Sequence, residues 1–209
     1  QDYIDKWDEI WGLLSKEAVH QGSLEKFKDS LKGKRGTADV DDDFLALMEH
    51  WREELARVIA LRNESLSQRQ INTAVQLIID RIIFLRICED RGIEPENGLR
   101  EATDGVDVYG DLMELFKKAD KKYNSGLFHF SAEKGQSSHP DTLTPTLKID
   151  DKVLKDILAH LYLPKSPYAF KYLSADILGQ VYERFLGKVI TLSGGHRSKV
   201  VEKPEVRKA

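Results

Sequence analysis

The sequence predicts an all-α protein, an irregular multi-helix bundle around one long central helix at about residues 67–91, with at most a short extended segment near residues 188–192. Large apolar residues recur at intervals of three and four along most of the chain, which is the spacing of one helix face. The 209 residues are 41% hydrophobic and 32% charged, a composition typical of a globular protein rich in solvated helices. A chain of this length can bury a substantial core.

Two helices are predicted before the central one. In the first, at about residues 3–20, the apolar spacing places Trp7 and Trp11 on one stripe. The second covers about residues 42–63 and carries large apolar residues along one side. Residues 32–37 lie between them and contain two glycines and three cations, so we expect an exposed loop there.

The central helix has a start signal and a stop signal. Ser67 and Gln70 form a capping-box pattern, in which the Ser67 hydroxyl accepts the backbone N–H of Gln70 and the Gln70 side chain reaches back to the cap. Gly92 supplies the left-handed conformation that ends many helices. The β-branched residues between these signals would also suit a strand, but about 24 residues are far too many for one.

The rest of the chain is predicted to alternate between helices and loops. The single extended segment, at residues 188–192, follows the last of these helices. The elements in order are a loop at 93–108, a helix at 109–123, a polar mobile loop at 131–147, a helix capped by Asp150 or Asp151 and stopped by Pro164, and a helix capped by Ser174 that ends near Leu186.

Composition excludes several classes of function. With 32 Lys and Arg against 35 Asp and Glu, the formal net charge of −3 gives no overall attraction to nucleic acid or to an anionic membrane. The most hydrophobic window, 77–88, is interrupted by charged residues and is too short to span a bilayer. The single cysteine, Cys88, lies in this apolar run, which favours a buried thiol in a reducing compartment, and we expect the cytoplasm.

The sequence offers no catalytic, cofactor-binding or metal-binding residues. The six histidines show no metal-binding spacing. Gly194 and Gly195 lack the lysine and the flanking strand and helix of a phosphate-binding loop, and they favour a linker. Residues 163–168 resemble the loop that holds a flipped base in DNA amino-methyltransferases, but with one proline fewer, and a rigid turn between helices is favoured.

Two charged residues, Asp80 and Arg81, lie in the apolar centre of the predicted helix. Their neighbours three and four positions away include no opposite charge. Because buried charges are retained when they are paired, we expect partners from other helices or from another domain. We interpret both residues as structural rather than catalytic.

Exposed cations are the candidates for contact with DNA. Lys32, Lys34 and Arg35 lie between glycines, with no acid nearby until Asp39. Arg197 and Lys199 belong to a basic tail near the end of the chain. Flexible cations of this kind suit contacts with phosphates, which position a duplex without reading its bases. The alternative is a solvated loop with no ligand.

Several stretches resemble the helical connector of single-chain type IIG restriction-modification enzymes. They are DEIW at 8–11 with SKEAV at 15–19, KRGT at 34–37, WREEL at 51–55, IDRIIFLRICEDRG at 79–92, and ILGQVYERFLG at 177–187. In that family the region joins an N-terminal nuclease to a C-terminal adenine methyltransferase. The resemblance covers most of the chain except residues 93–108 and 131–147.

The resemblance implies a position within a larger enzyme and no catalytic residue of its own. Double-stranded DNA, S-adenosylmethionine and Mg²⁺ are expected for the whole enzyme, at sites outside this chain. Both ends of the chain look like cuts, so we expect a helical lead-in from a preceding domain at 1–36, the connector domain at 37–192, and a basic linker toward a following domain at 193–209. A rival interpretation is an independent helical module that docks a partner protein through Trp7 and Trp11.

Overall fold

The computed structural model describes residues 11, 15, 40–123, 125–131, 139–162, 165–166, 183, 185–193 and 197–203. The chain divides into two units, Gln1–Asp43 and Phe44–Ala209. The elements below belong to the second, except that the first helix begins four residues earlier, at Val40. Most of the predicted helix at 3–20, the cationic loop at 32–37 and most of the helix that follows Ser174 lie outside the described residues. The domain boundaries predicted at 36 and 192 stay predictions.

Helix α1, Val40–Arg62, agrees with the predicted amphipathic helix. Its large apolar side chains fall every three or four residues and therefore share one face. That face is buried and includes Phe44, Met48, Trp51, Leu55 and Ile59.

Helix α2, Gln68–Asp90, is the predicted central helix, and its capping box is formed. The Ser67 hydroxyl accepts the Gln70 backbone N–H at 3.3 Å, and the Gln70 side chain accepts the Ser67 backbone N–H at 2.9 Å. Gly92 follows with φ of 68°, the left-handed conformation that a residue with a Cβ adopts only at a cost. Buried residues lie on several sides of α2, from Ile71 to Glu89, so the prediction of a helix enclosed by the core is confirmed.

The segment predicted as a loop at 93–108 contains two short helices. Helix α3, Gly98–Glu101, is followed directly by a 3-10 turn at Ala102–Asp104. Leu99 and Ala102 are buried and belong to the main core. Four-residue helices leave no periodic pattern to detect, which explains the difference. Helix α4, Val108–Tyr123, then follows as predicted.

The polar segment predicted as a mobile loop at 131–147 is packed against the core in part of its described residues, around Thr144 and Leu147. A 3-10 turn at Thr144–Thr146 lies here, and Thr144 is completely buried. The carbonyl of Thr144 accepts a hydrogen bond of 2.8 Å from the buried Tyr109 hydroxyl. A polar composition indicates solvent exposure, whereas these polar groups bind buried partners.

Helix α5, Asp151–Ala159, begins where it was predicted but without the predicted side-chain cap. Asp150 occupies the capping position, yet its carboxylate binds Arg62 at 2.7 Å instead. The Asp151 carboxylate accepts the backbone N–H of Val108 at 3.2 Å. These two acids therefore tie the start of α5 to α1 and to α4.

A β-hairpin near the end of the chain corrects the all-α prediction to a mostly helical fold with a small sheet. Strands β1, Lys188–Ser193, and β2, Arg197–Glu202, are antiparallel, with Ile190 opposite Val200. The sequence predicted one extended segment at 188–192 and a linker from 193 onward. The second strand contains Val200 and Val201, whose branched side chains favour strands, and Val200 packs against the core.

One hydrophobic core joins these elements. It combines the buried faces of α1, α2, α4 and α5 with Phe128, Phe185 and Ile190. Each fully buried Ile or Phe side chain in it contributes about 1.5–3 kcal/mol. Among the described helices, none is both long enough and apolar enough to cross a membrane.

Candidate functional site

Arg81 is one of three buried arginines among the described residues of the second unit. Its side chain, 1% exposed, lies on α2 and reaches the segments on either side of residues 132–138. Nη2 binds the Asp141 carboxylate at 2.8 Å, Nε donates to the Leu127 carbonyl at 2.9 Å, and Nη1 donates to the Thr144 hydroxyl at 2.8 Å. The guanidinium therefore has a partner on each of its three nitrogens, as a buried charge requires.

The Asp141 carboxylate is held in place from both sides. It accepts the backbone N–H groups of Leu143 and Thr144, each at 3.0 Å, and also the Thr144 hydroxyl. Burial alone would raise the pKa of Asp141, but the hydrogen bonds from Thr144 and the charge of Arg81 lower the pKa below its usual value. Asp141 is therefore ionised at neutral pH and forms a true ion pair with Arg81.

Asp80, adjacent to Arg81 on α2, belongs to a different polar group. It is half-buried rather than fully buried, and its carboxylate accepts the Gln76 side-chain amide at 2.7 Å. Burial lowers the pKa of Arg52, and the negative charges of Asp80 and Glu49 act against this lowering. Asp80 thus offsets part of the free-energy cost of burying Arg52. Although Asp80 and Arg81 are adjacent in the sequence, they belong to separate polar clusters.

Arg52 joins α1 to the β-hairpin and to the chain that enters it. The side chain, 3% exposed, donates from Nη1 to the Phe185 carbonyl at 2.7 Å and from Nη2 to the Lys188 carbonyl at 3.2 Å. Its guanidinium also lies over the Phe185 ring, 4.2 Å from the centroid, a favourable cation–π geometry. The backbone before β1 is therefore fixed to α1.

Further side chains of both long helices bind the hairpin backbone. The Asn72 amide of α2 pairs with Ile190 in both directions, donating to its carbonyl at 3.0 Å and accepting its N–H at 2.8 Å. On α1, the Glu53 carboxylate accepts the Val200 N–H at 2.8 Å, and the Glu53 carbonyl accepts the Ser198 hydroxyl at 2.6 Å. Both strands are thus attached to the helical core.

Arg86 organises a third polar cluster at the end of α2. Its guanidinium binds Glu89 at 3.2 Å and Asp90 at 2.5 Å, donates to the Leu161 carbonyl at 2.9 Å, and lies 4.3 Å from the Tyr162 ring centroid. This cluster joins α2 to the chain that follows α5.

Glu89 extends the same cluster to α3. Its carboxylate accepts the Tyr162 hydroxyl at 2.5 Å and the backbone N–H of Leu99 at 2.8 Å. Burial raises the pKa of Tyr162, and the hydrogen bond to Glu89 raises it further. Tyr162 therefore stays protonated and acts as a hydrogen-bond donor, which suits a structural role.

The cations predicted to contact DNA are only partly located. Lys32, Lys34 and Arg35 lie outside the described residues. Arg197 begins β2, and its side chain is outside the described part. Lys199 is an exposed residue of β2, and its carbonyl accepts the Thr191 hydroxyl at 3.3 Å. Of these five residues only Lys199 has a described side chain, so the prediction of a DNA contact stays a prediction.

The residues that the structure describes contain no cluster of three or more His, Cys, Asp or Glu side chains that could hold a metal ion. Cys88 is a buried free thiol whose pKa is raised by burial, so it is a poor nucleophile at neutral pH.

Sequence reasoning missed Arg52, Asn72 and Asp141 as key residues. A signal existed for Arg52, because it lies four positions after Met48 and three before Leu55, both on the buried face of α1. A cation at such a position should bind a buried acceptor. Asn72 and Asp141 gave no signal of this kind. The hairpin partner of Asn72 is distant in the sequence, and the nearby partners of Asp141 lie in a segment whose polar composition indicated a solvent-exposed loop.

Comparison with known proteins found one informative similarity. No protein-family model matches the chain, and no solved structure matches it. Over 204 residues, 98% of this chain, the sequence is 32% identical to the type II restriction enzyme and methyltransferase RM.Eco57I of Escherichia coli. The chain spans 19% of the length of that protein, so the similarity is to one segment of a much larger enzyme.

Proposed function

We propose that this chain is the helical connector of a restriction-modification enzyme, holding a DNA-cleaving module and an adenine-methylating module at a fixed separation. The similarity to a restriction enzyme and methyltransferase along nearly the whole chain supports the class of enzyme. The type IIG resemblance of residues 79–92 and 177–187 supports the connector role within it.

The observation that carries this proposal is the attachment of the hairpin to both long helices. Arg52, Glu53 and Asn72 make five hydrogen bonds to residues of the hairpin or its entry at 3.2 Å or less, and Ser198 adds a sixth. A flexible tether would need none of these contacts. A connector that sets a distance requires them, because a module that follows the hairpin takes its orientation from the core.

The flanking modules would supply the chemistry. Mg²⁺ for cleavage and S-adenosylmethionine for methylation would bind there, since the described residues offer no cluster of metal ligands. Duplex DNA would be the substrate of both modules, and the cytoplasm would be their location. This chain's own contribution would be positional.

The test compares the full-length protein with the isolated 209-residue chain. The full-length protein should methylate adenine and cleave DNA, whereas the isolated chain should do neither and should show no calorimetric signal with S-adenosylmethionine. Micromolar cofactor binding by the isolated chain would contradict the proposal. So would a full-length protein that lacks both activities.

A partner-docking module is the second candidate function, because Trp11 is 59% exposed. In that case Trp11→Ala should abolish capture of a partner protein and leave DNA methylation unchanged. If Trp11 is instead a connector residue, Trp11→Ala should leave capture of a partner protein unchanged, whether or not DNA methylation is lost.

A further inference from the structure

Two adjoining surface grooves are lined by exposed cations. The larger, of about 500 Å³, lies between α1 and α5 and is lined in part by Lys152, Lys155 and Lys165. The smaller, of about 230 Å³, is lined in part by Arg100, Lys155 and Lys165. Lys155 and Lys165 line both grooves, so the four cations form one continuous surface, here named the basic face.

Among the described residues these four cations form no salt bridge, although the charge of Lys152 helps to lower the pKa of Glu54. Most acids beside them already bind other cations. In the lining of the two grooves, Glu54 binds Arg57 at 2.6 Å and Asp150 binds Arg62 at 2.7 Å. Among the described residues of the two linings, Asp156 is the one further acid. The basic face therefore carries a clear excess of positive charge in a chain whose net charge is −3.

The fold directs these side chains outward. On α5, Val153, Leu154 and Ile157 are buried in the core. Lys152 and Lys155 are three positions apart on the same helix, are exposed and, at that spacing, are neighbours on its surface. The packing of α5 thus holds two lysines side by side on a rigid element.

We propose that the basic face binds the phosphate backbone of duplex DNA and so positions the connector on its substrate. This inference rests on the proposed function, and it assigns the contact to residues other than Lys32, Lys34, Arg35, Arg197 and Lys199. Lysine ammonium groups on flexible stems match a row of phosphates without demanding a particular base sequence. The affinities of the protein for cognate and for random duplexes should therefore depend on the basic face to the same extent.

The test uses the full-length protein with Arg100→Gln, Lys152→Gln, Lys155→Gln and Lys165→Gln combined. Equilibrium binding to a labelled random duplex is measured from 50 to 200 mM salt. The slope of log affinity against log salt should become shallower by about 0.9 for each phosphate that the variant no longer neutralises. If each of the four cations neutralises one phosphate, the unaltered protein binds DNA more tightly than the variant at 50 mM salt. The ratio of the two affinities should then fall on the order of 100-fold between 50 and 200 mM salt.

The matched control replaces four exposed cations that line neither groove: Arg69→Gln, Arg91→Gln, Lys118→Gln and Lys121→Gln. It changes the net charge equally and should leave the salt slope of the unaltered protein intact. An equal slope change in both variants would overturn the inference, because net charge alone would then account for it. Thermal melting of both variants should match the unaltered protein, since all eight residues are exposed.

Three other outcomes separate this inference from the proposed function. An unchanged slope in the basic-face variant of a protein that methylates and cleaves DNA overturns the inference and leaves the connector role intact. An unchanged slope together with a loss of cleavage would indicate that the basic face binds an acidic surface of a flanking module. That result also overturns DNA binding by the basic face. A full-length protein without either activity would contradict the proposed function itself.

Discussion

At the scale of single residues, buried arginines join segments of this fold that are distant in sequence, although the ion-pair partners of Arg86 lie on its own helix. The sequence predicted that Arg81 must be paired, because its helical neighbours are apolar, but it predicted a partner from another helix or domain. The partner, Asp141, belongs instead to a polar segment that resembled a solvent-exposed loop. Composition cannot distinguish a carboxylate that faces water from one that faces a buried guanidinium.

Replacing Arg81 by alanine should lower the free energy of unfolding by about 3–5 kcal/mol, because it leaves the buried Asp141 without its counter-charge. Urea denaturation of the 209-residue chain measures this. Arg57→Ala is the matched control, since its ion pair with Glu54 is exposed, and it should cost about 0–1 kcal/mol. Equal stabilities of the two variants would contradict the structural role of Arg81.

Asp141 should make stability depend on pH in the acid range. Its pKa is lowered in the folded protein, below the ordinary value of about 3.9 expected when unfolded. The stabilisation is therefore fully present above the unfolded pKa and is lost as pH falls through the folded pKa. Asp141→Asn should be less stable than the unaltered chain at pH 7, and this gap should narrow toward pH 3 in urea denaturation. A gap of constant size would show that the Asp141 charge contributes nothing.

At the scale of elements, features set by nearby residues could be predicted from the sequence, whereas features set by tertiary contacts could not. The structure confirms the capping box of Ser67, the stop at Gly92 and the apolar faces of α1 and α4. Each of these features depends on residues that lie close together in the sequence. The predicted side-chain cap at Asp150 does not form, because Arg62, distant in sequence, binds that carboxylate.

Strand β2 shows a second reason why a prediction was wrong. A local strand signal was present at residues 200–201, but other features of the sequence outweighed it. Val200 and Val201 follow Gly194 and Gly195 after an extended segment, a pattern typical of a hairpin. The surrounding cations favoured the interpretation as a basic tail. The strand forms because α1 and α2 supply acceptors and donors for its backbone and for that of β1.

The attachment of the hairpin to α2 should depend on Asn72. Asn72→Ala removes two hydrogen bonds to Ile190, each worth about 0.5–1.5 kcal/mol. Amide exchange of residues 188–193 and 197–202 should therefore accelerate on the order of tenfold or more, whereas exchange in the centre of α2 should not change. Thr73→Ala, a change at the exposed neighbouring residue, should leave hairpin exchange as it was. Equal exchange in both variants would mean that Asn72 does not hold the hairpin.

At the scale of the whole molecule, the sequence pattern indicated a class of relative rather than a site, and the 32% identity to the restriction enzyme and methyltransferase RM.Eco57I agrees with that class. The motif at 79–92 combines the apolar centre of α2 with Arg81, Arg86 and Glu89, which the structure shows to be the anchors of two polar clusters. Part of its recognisable pattern thus reflects how α2 packs against its neighbours. The basic face gave no comparable pattern, because Arg100, Lys155 and Lys165 come from separate segments that only the fold unites.

The central claim, that the hairpin holds a following module at a set distance, is tested most directly by mapping cleavage positions. Full-length protein carrying Asn72→Ala and Ser198→Ala, which removes hydrogen bonds from the hairpin to α2 and to α1, is compared with the unaltered enzyme by sequencing the cut ends. We predict that the unaltered enzyme cuts at one narrow distance from the methylated adenine and that the variant, with methylation retained, cuts over a broader range. An equally narrow distance in the variant, with its hairpin shown by amide exchange to be loosened, would contradict a distance-setting role for the hairpin.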